Sequence, residues 1–132
     1  MKNEETLISI ELEGLPPTVN QMYRNVTRGS FTRRYKTQAC HDFQDMLSIR
    51  IKTLWREKPP YEGRVALFIK FFQSDRRRWD LDNRLKALQD CLQLAGVIKD
   101  DSQIDFISIE RQYSNKNATI LTLSAINDKL LG

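Results

Sequence analysis

The chain has 132 residues, a mass of 15.5 kDa and 40% hydrophobic residues, which suits one core and leaves little for a second, so a single domain over residues 1–132 is expected. No apolar run approaches the ~20 residues of a membrane helix. Two cysteines without a CxxC exclude a disulfide framework or a cysteine-rich zinc site, and any triad, dyad or imidazole cluster would have to use the single His41.

The start, MKNEETLISIELEG, carries acids where a signal peptide would place its apolar core, so a soluble, cytoplasmic protein with no membrane partner is expected. From Thr6 to Glu13, Ile8, Ile10 and Leu12 alternate with Ser9, Glu11 and Glu13, the pattern of a half-exposed strand. Gly14-Leu15-Pro16-Pro17 stops it. Asn20 to Lys36 shows no clear period and reads as a long loop, which in a small domain is worth inspecting for contacts. A helix follows from about Thr37 to Arg56, with Ala39, Phe43, Met46, Leu47 and Leu54 on one side and His41 on the polar side. After Lys58-Pro59-Pro60, the run Val65 to Phe72 is apolar on both faces and reads as a central strand. A second helix is expected from near Asp80, burying Leu81, Leu85, Leu88, Leu92 and Ala95, with Gly96 as its C-terminal cap. Two strands complete the chain, Ile104 to Tyr113 and Ala118 to Ala125, joined by Ser114-Asn115-Lys116-Asn117, which suits a tight turn. The order β-α-β-α-β-β predicts an α/β fold with a mixed sheet covered by two helices.

Seven of the ten aspartates (Asp75, Asp80, Asp82, Asp90, Asp100, Asp101 and Asp105) lie between positions 75 and 105, a stretch without a glutamate. Short carboxylates gathered together make a hard oxygen site suited to Mg²⁺ or Mn²⁺, and without a cation they repel. Asp80 and Asp82 converge at the start of the second helix. Asp100 and Asp101 follow the end of that helix, and reach the same ion only if the next strand runs back beside its first turn. Helix logic offers a plainer account, in which Asp80 is an N-cap, Asp82 pairs with Lys86 at i,i+4, and Asp100-Asp101 caps a turn. The neighbours favour chemistry. Arg76, Arg77 and Arg78 precede the acids and Arg84 and Lys86 follow them, which is what phosphodiester cleavage needs. A second basic stretch sets Arg24, Arg28, Arg33, Arg34 and Lys36 among Tyr23, Phe31 and Tyr35 with no acid, so cations are available for phosphates and rings for exposed bases. The plainer account of that stretch is a solvated loop whose rings pack on the domain edge. His41 reads as an exposed residue, and Cys40 and Cys91 as small packing residues.

The segment DRRRWDLDNRLKALQDCLQLAGVIKDDSQI, Asp75 to Ile104, resembles the RusA family of Holliday junction resolvases. The features that carry the likeness are the arginine run, Asp80-Leu81-Asp82-Asn83, Lys86, Asp90, a glycine, and Asp100-Asp101 with Gln103. LPPTVNQMYR near the N-terminus is similar to the family's Pro-Pro, Asn and Tyr-Arg element. The resemblance implies a homodimeric, Mg²⁺-dependent endonuclease that resolves four-way junction DNA by paired nicks in strands of like polarity. Asp80, Asp82 and Asp101 match the family's catalytic, metal-binding aspartates and Lys86 its essential lysine, while Asp90 and Asp100 match acids of secondary role. Trp79 departs from the pattern, which often has a fourth arginine there; a ring cannot grip a phosphate, though it can stack on a base or pack in an interface. Two other functions fit the residues: a basic DNA-binding module without catalysis, and a metal-dependent nuclease for another nucleic acid.

Overall fold

The computed structural model describes residues 4–126. Its elements in chain order are β1 (Glu4–Glu13), α1 (Val19–Met22), β2 (Tyr23–Arg28), β3 (Phe31–Lys36), α2 (Gln38–Trp55), β4 (Val65–Gln73), a 3₁₀ turn (Leu81–Arg84), α3 (Leu85–Leu94), a second 3₁₀ turn (Asp101–Gln103), β5 (Ile104–Tyr113) and β6 (Ala118–Ile126). Four strands form one sheet in the order β1-β6-β4-β5. β6 is antiparallel to both β1 and β4, and β5 is parallel to β4, so the sheet is mixed as the element order predicts.

The core lies between this sheet and the helices α2 and α3. Ile8, Ile10 and Leu12 of β1, Leu67, Ile69 and Phe71 of β4, and Leu121 and Leu123 of β6 point into it at the period of two that strands impose. α2 answers with Leu47, Ile51 and Trp55, and α3 with Leu88, Cys91 and Leu92. The buried face of α2 is Cys40, Gln44, Leu47, Ile51 and Trp55, one position round from the predicted stripe; Met46 and Leu54 are exposed. Gln44 is drawn inward because its side-chain oxygen accepts from Lys36 Nζ at 3.2 Å, and Trp55 because its indole N–H donates to the Lys58 carbonyl at 3.0 Å. Gly96 ends α3 with φ of +76°, a conformation open to glycine at little cost.

Two expectations need correction. The segment Asn20 to Lys36 is not an open loop: after the single turn of α1, β2 and β3 form an antiparallel hairpin closed by Gly29-Ser30, with Gly29 at φ of +60°. Ser114-Asn115-Lys116-Asn117 does not close a hairpin between β5 and β6, because β4 lies between those strands. The four residues step across the end of β4, where Asn117 Oδ1 accepts from Ser74 N at 2.8 Å and Ser114 N donates to the Gln73 carbonyl at 2.9 Å. No described helix is long and apolar enough to cross a membrane.

Candidate functional site

The seven aspartates of positions 75–105 divide into two sets. Four have protein partners. Asp75 accepts from Gln73 Nε2 at 3.1 Å and from Arg77 N at 3.0 Å. Asp90 pairs with Lys86 at 3.3 Å, one helical turn back. Asp100 accepts from Ser102 N at 3.1 Å in a capping box, and Asp105 accepts from Arg64 Nε at 2.9 Å. The other three, Asp80, Asp82 and Asp101, are exposed and have no side-chain partner among the described residues. The plainer helix account therefore fails where it is most specific. Asp80 precedes the 3₁₀ turn but makes no side-chain cap, and Lys86 pairs with Asp90 instead of Asp82.

Asp80 and Asp82 sit on the turn that enters α3. That turn is 3₁₀ over Leu81–Arg84, with Asn83 N donating to the Asp80 carbonyl at 3.0 Å, and α-helical geometry starts only at Leu85. What holds the turn is Trp79. Its ring meets Phe71 of β4 edge-on at 5.3 Å, and the guanidinium groups of Arg84 and Arg111 lie over it at 4.6 and 4.3 Å. Arg111 of β5 also donates to the Trp79 carbonyl, and Arg84 donates to the Pro16 carbonyl. The peptide leading into Asp80 is thus tied to β5, and the turn bearing Asp82 is tied to the Pro-Pro segment after β1. Burial, and then repulsion from Arg111, hold the Arg84 pKa below the usual arginine range. Trp79 is a packing residue that organises the turn and leaves no ring free for a base.

Asp101 is held as firmly, by Gln103. The buried Gln103 amide accepts from the N–H groups of Lys99 at 2.8 Å and Asp100 at 3.2 Å, and donates to the carbonyls of Tyr61 at 2.7 Å and Gly63 at 3.0 Å. All four of its hydrogen-bonding positions are used. The structure does not bring Asp101 to Asp80 and Asp82. Because β5 runs parallel to β4, the chain leaves β4 at one end of the sheet and enters β5 at the other, with α3 spanning the gap. Asp101 adjoins Ile104, whereas Trp79 and Asp80 are tied to Arg111; at about 3.3 Å per residue the strand between is about 23 Å long. Among the described residues, no three His, Cys, Asp or Glu side chains are grouped to hold a metal ion.

Lys86 lines a pocket of about 390 Å³ with Tyr23, Lys36, Gln44, Asp90 and Gln93, so α3, α2 and the base of the hairpin meet there. Burial opposes its charge, but Asp90, and Tyr23 beside it, outweigh that and raise its pKa above the usual lysine value. A larger cleft, about 1090 Å³, lies elsewhere, against Glu11, Met46, Arg50 and Lys116, and contains none of the predicted site residues.

The register of the hairpin sorts its basic residues. Arg24 faces Tyr35, Val26 faces Arg33, and Arg28 faces Phe31, so three arginines and two rings share one surface. All five of those cationic and aromatic residues are exposed, Phe31 by 76%. Arg34 and Lys36 point to the other face, Arg34 stacked on Tyr23 at 3.6 Å and Lys36 bonded to Gln44. In the arginine run, Arg76 lies over Tyr113 at 4.0 Å, Arg77 pairs with Asp75 at 3.6 Å, and Arg78 is exposed without a partner among the described residues. His41 is exposed, and Cys40 and Cys91 are buried free thiols, Cys91 pushed up to about 12 by burial.

The family model of endodeoxyribonuclease RusA matches residues 13–124, a span that takes in the hairpin, both aspartate turns, β4, β5 and most of β6. The chain belongs to the RusA endodeoxyribonuclease family. Among curated proteins nothing matches the chain. Family membership makes it a nuclease, of a family whose activity is Holliday junction resolution. Arg111, which braces the Trp79 turn from β5, was not singled out in the sequence. Gln103 stands in the motif segment, but its four-bonded role depends on the carbonyls of Tyr61 and Gly63, distant in sequence.

Proposed function

We propose that this protein is a Mg²⁺-dependent, homodimeric endonuclease that resolves four-way junction DNA by symmetric nicks, with Asp80, Asp82 and Asp101 as its metal-binding, catalytic aspartates and Lys86 as a catalytic lysine. The observation that carries the reading is the partition of the aspartates: the three without a side-chain partner among the described residues are the three that match the family's metal-binding aspartates. Their chemistry fits a hard divalent ion, Mg²⁺ or Mn²⁺, since they are exposed oxygen donors that no cation among the described residues pairs with. Such an ion supplies an activated water and stabilises charge on the leaving oxygen. Lys86, kept charged by Asp90, places a cation to neutralise phosphate as charge develops on it. Arg24, Arg28 and Arg33, with Arg76, Arg77 and Arg78, hold flanking phosphates, and Phe31 and Tyr35 offer faces on which bases at the crossover stack. Arg34 and Lys36 shape the base of the hairpin from its other side. A two-fold dimer presents one site to each of two opposed strands, matching the near two-fold substrate.

The test is a nicking assay on a synthetic four-way junction, with linear duplex, flap and RNA at equal salt, in Mg²⁺ and in EDTA. Paired nicks in the junction alone, lost in EDTA, are expected. Asp82→Asn should bind the junction yet not nick it, while Asp75→Asn, whose partners are structural, stays active. Equal cleavage of all substrates gives the general nuclease; no scission with intact, salt-sensitive binding gives the non-catalytic module.

A further inference from the structure

The pocket beside Lys86 contains a buried hydrogen-bond donor that the protein leaves unused. The base of the hairpin supplies Tyr23 and Lys36, which face each other across β2 and β3; α2 supplies Gln44, and α3 supplies Lys86 and Asp90. Gln44 is only 5% exposed, and its orientation is fixed by what bonds it. A lysine ammonium can only donate, so the atom 3.2 Å from Lys36 Nζ is the amide oxygen, and the NH₂ group takes the other side. That group, Gln44 Nε2, is buried and has no hydrogen-bond partner among the described residues. A buried donor without an acceptor destabilises the fold that contains it, so its partner has to come from outside the chain, as water or as a ligand.

The surrounding charges select the ligand. Lys36 has no carboxylate partner among the described residues, and Lys86 brings a second ammonium with the Tyr23 hydroxyl beside it. Asp90 is the one carboxylate in the lining, and Lys86 already pairs with it at 3.3 Å. Two cations against one anion leave the pocket with a single positive charge, and the hydrogens it offers come from an amide, an ammonium and a hydroxyl. A phosphodiester is the complement: one negative charge, on oxygens that only accept. A nucleobase would also need acceptors for its own N–H groups, and the one carboxylate is taken. The position fits as well. Lys86 follows Asp82 by four residues on the way into α3, while Tyr23 and Lys36 close the base of the hairpin that carries Arg24, Arg28 and Arg33, so the pocket joins the basic hairpin to the helix that begins at the aspartate turn.

We propose that this pocket is a phosphate subsite for the cleaved strand, in which Gln44 Nε2, Lys36 Nζ and the Tyr23 hydroxyl donate to a phosphodiester adjoining the scissile one and so fix the register of the strand against the Asp80–Asp82 turn. The inference rests on the nuclease reading of the previous subsection and adds to it a neutral residue of α2, Gln44, that no count of charges singles out. Tyr23 is held ready for this by Arg34, which stacks on its ring at 3.6 Å.

The test pairs a near-isosteric variant with a neutralised phosphate. Gln44→Met keeps the length of the side chain and removes the amide, so the fold loses an orphaned donor and its melting temperature should stay close to that of the wild type. Binding of a labelled four-way junction is measured by anisotropy in EDTA, on junctions that carry a single methylphosphonate at successive positions around the nick. Gln44→Met should bind the unmodified junction about tenfold more weakly, the order of one hydrogen bond to a charged group. One methylphosphonate position should weaken the wild type by a similar factor and Gln44→Met hardly at all, and that loss of additivity ties the phosphate to the pocket. Gln44→Glu, which sets a carboxylate where the phosphate sits, should bind more weakly still. Unchanged affinity in Gln44→Met means that water serves the amide, and overturns the subsite. So does full additivity at every methylphosphonate position. An abasic nucleotide that reproduces the effect in place of the methylphosphonate puts a base in the pocket and overturns the phosphate assignment. Additivity together with a shift of the Gln44 side-chain amide signal on adding inorganic phosphate makes it a site for free phosphate and overturns the assignment to the strand. Each of these results leaves the nuclease reading intact; that reading falls if the wild type does not nick the junction in Mg²⁺.

Discussion

Replacing Arg24, Arg28 and Arg33 together by alanine isolates what the hairpin contributes to DNA binding. The three side chains share one exposed surface and have no acid partner among the described residues, so each is available to a phosphate. Each phosphate that the protein ceases to neutralise lowers the slope of log affinity against log salt by about 0.9. Three such phosphates therefore remove about 2.7 from the slope. Between 50 and 200 mM salt the wild type should lose roughly 40-fold more affinity than the triple variant, taking that slope difference over a fourfold change in salt. The measurement is anisotropy of a labelled four-way junction in EDTA, which prevents cleavage, at several salt concentrations. Arg34→Ala is the control, since Arg34 is stacked on Tyr23 on the other face and should change the slope far less. Phe31→Ala should weaken binding by removing a stacking face and leave the slope unchanged. A triple variant with the wild-type slope would refute the assignment of the hairpin as a phosphate-binding surface.

Two further predictions concern the framework of the site. Gln103→Leu leaves the N–H groups of Lys99 and Asp100 and the carbonyls of Tyr61 and Gly63 without their partner; at about 1–3 kcal/mol for each group left buried and unbonded, urea denaturation should show a loss above about 3 kcal/mol. A loss below about 1 kcal/mol would mean that water replaces the amide. Asp105 is held below the usual carboxylate range by its hydrogen bonds to Arg64, so the unfolded chain takes up its proton at higher pH than the folded one. Its contribution is complete above the ordinary aspartate pKa of about 4 and disappears as pH falls through the folded value. Asp105→Asn should accordingly show a flatter fall in Tm below about pH 5 than the wild type, and an equally steep fall would assign the acid sensitivity to other groups.

The sequence showed different parts of this molecule with unequal clarity, for physical reasons. β1 and β4 were legible because their partners cover one face or both, which writes a period of two or a continuous apolar run into the residues. The β2–β3 hairpin was not, because neither strand has a buried residue and so neither has a hydrophobic pattern; its one local signal was Gly29-Ser30, a pair suited to a two-residue turn. The link from β5 to β6 was misread as a hairpin because a four-residue connection fixes only how far apart two strand ends lie, and stepping across one intervening strand needs no more chain than that.

The candidate site follows the same logic. An aspartate-rich stretch flanked by arginines was legible as a candidate site, although four of its seven acids turn out to have structural partners, but the mutual placement of the acids was not legible. Placement depended on whether β5 runs with or against β4, a question no local residue pattern answers. A parallel β5 sends Asp101 to the far end of the sheet, and the same choice leaves β5 at the edge, with no strand on its outer side among the described residues. One topological feature thus divides the proposed metal site within the chain.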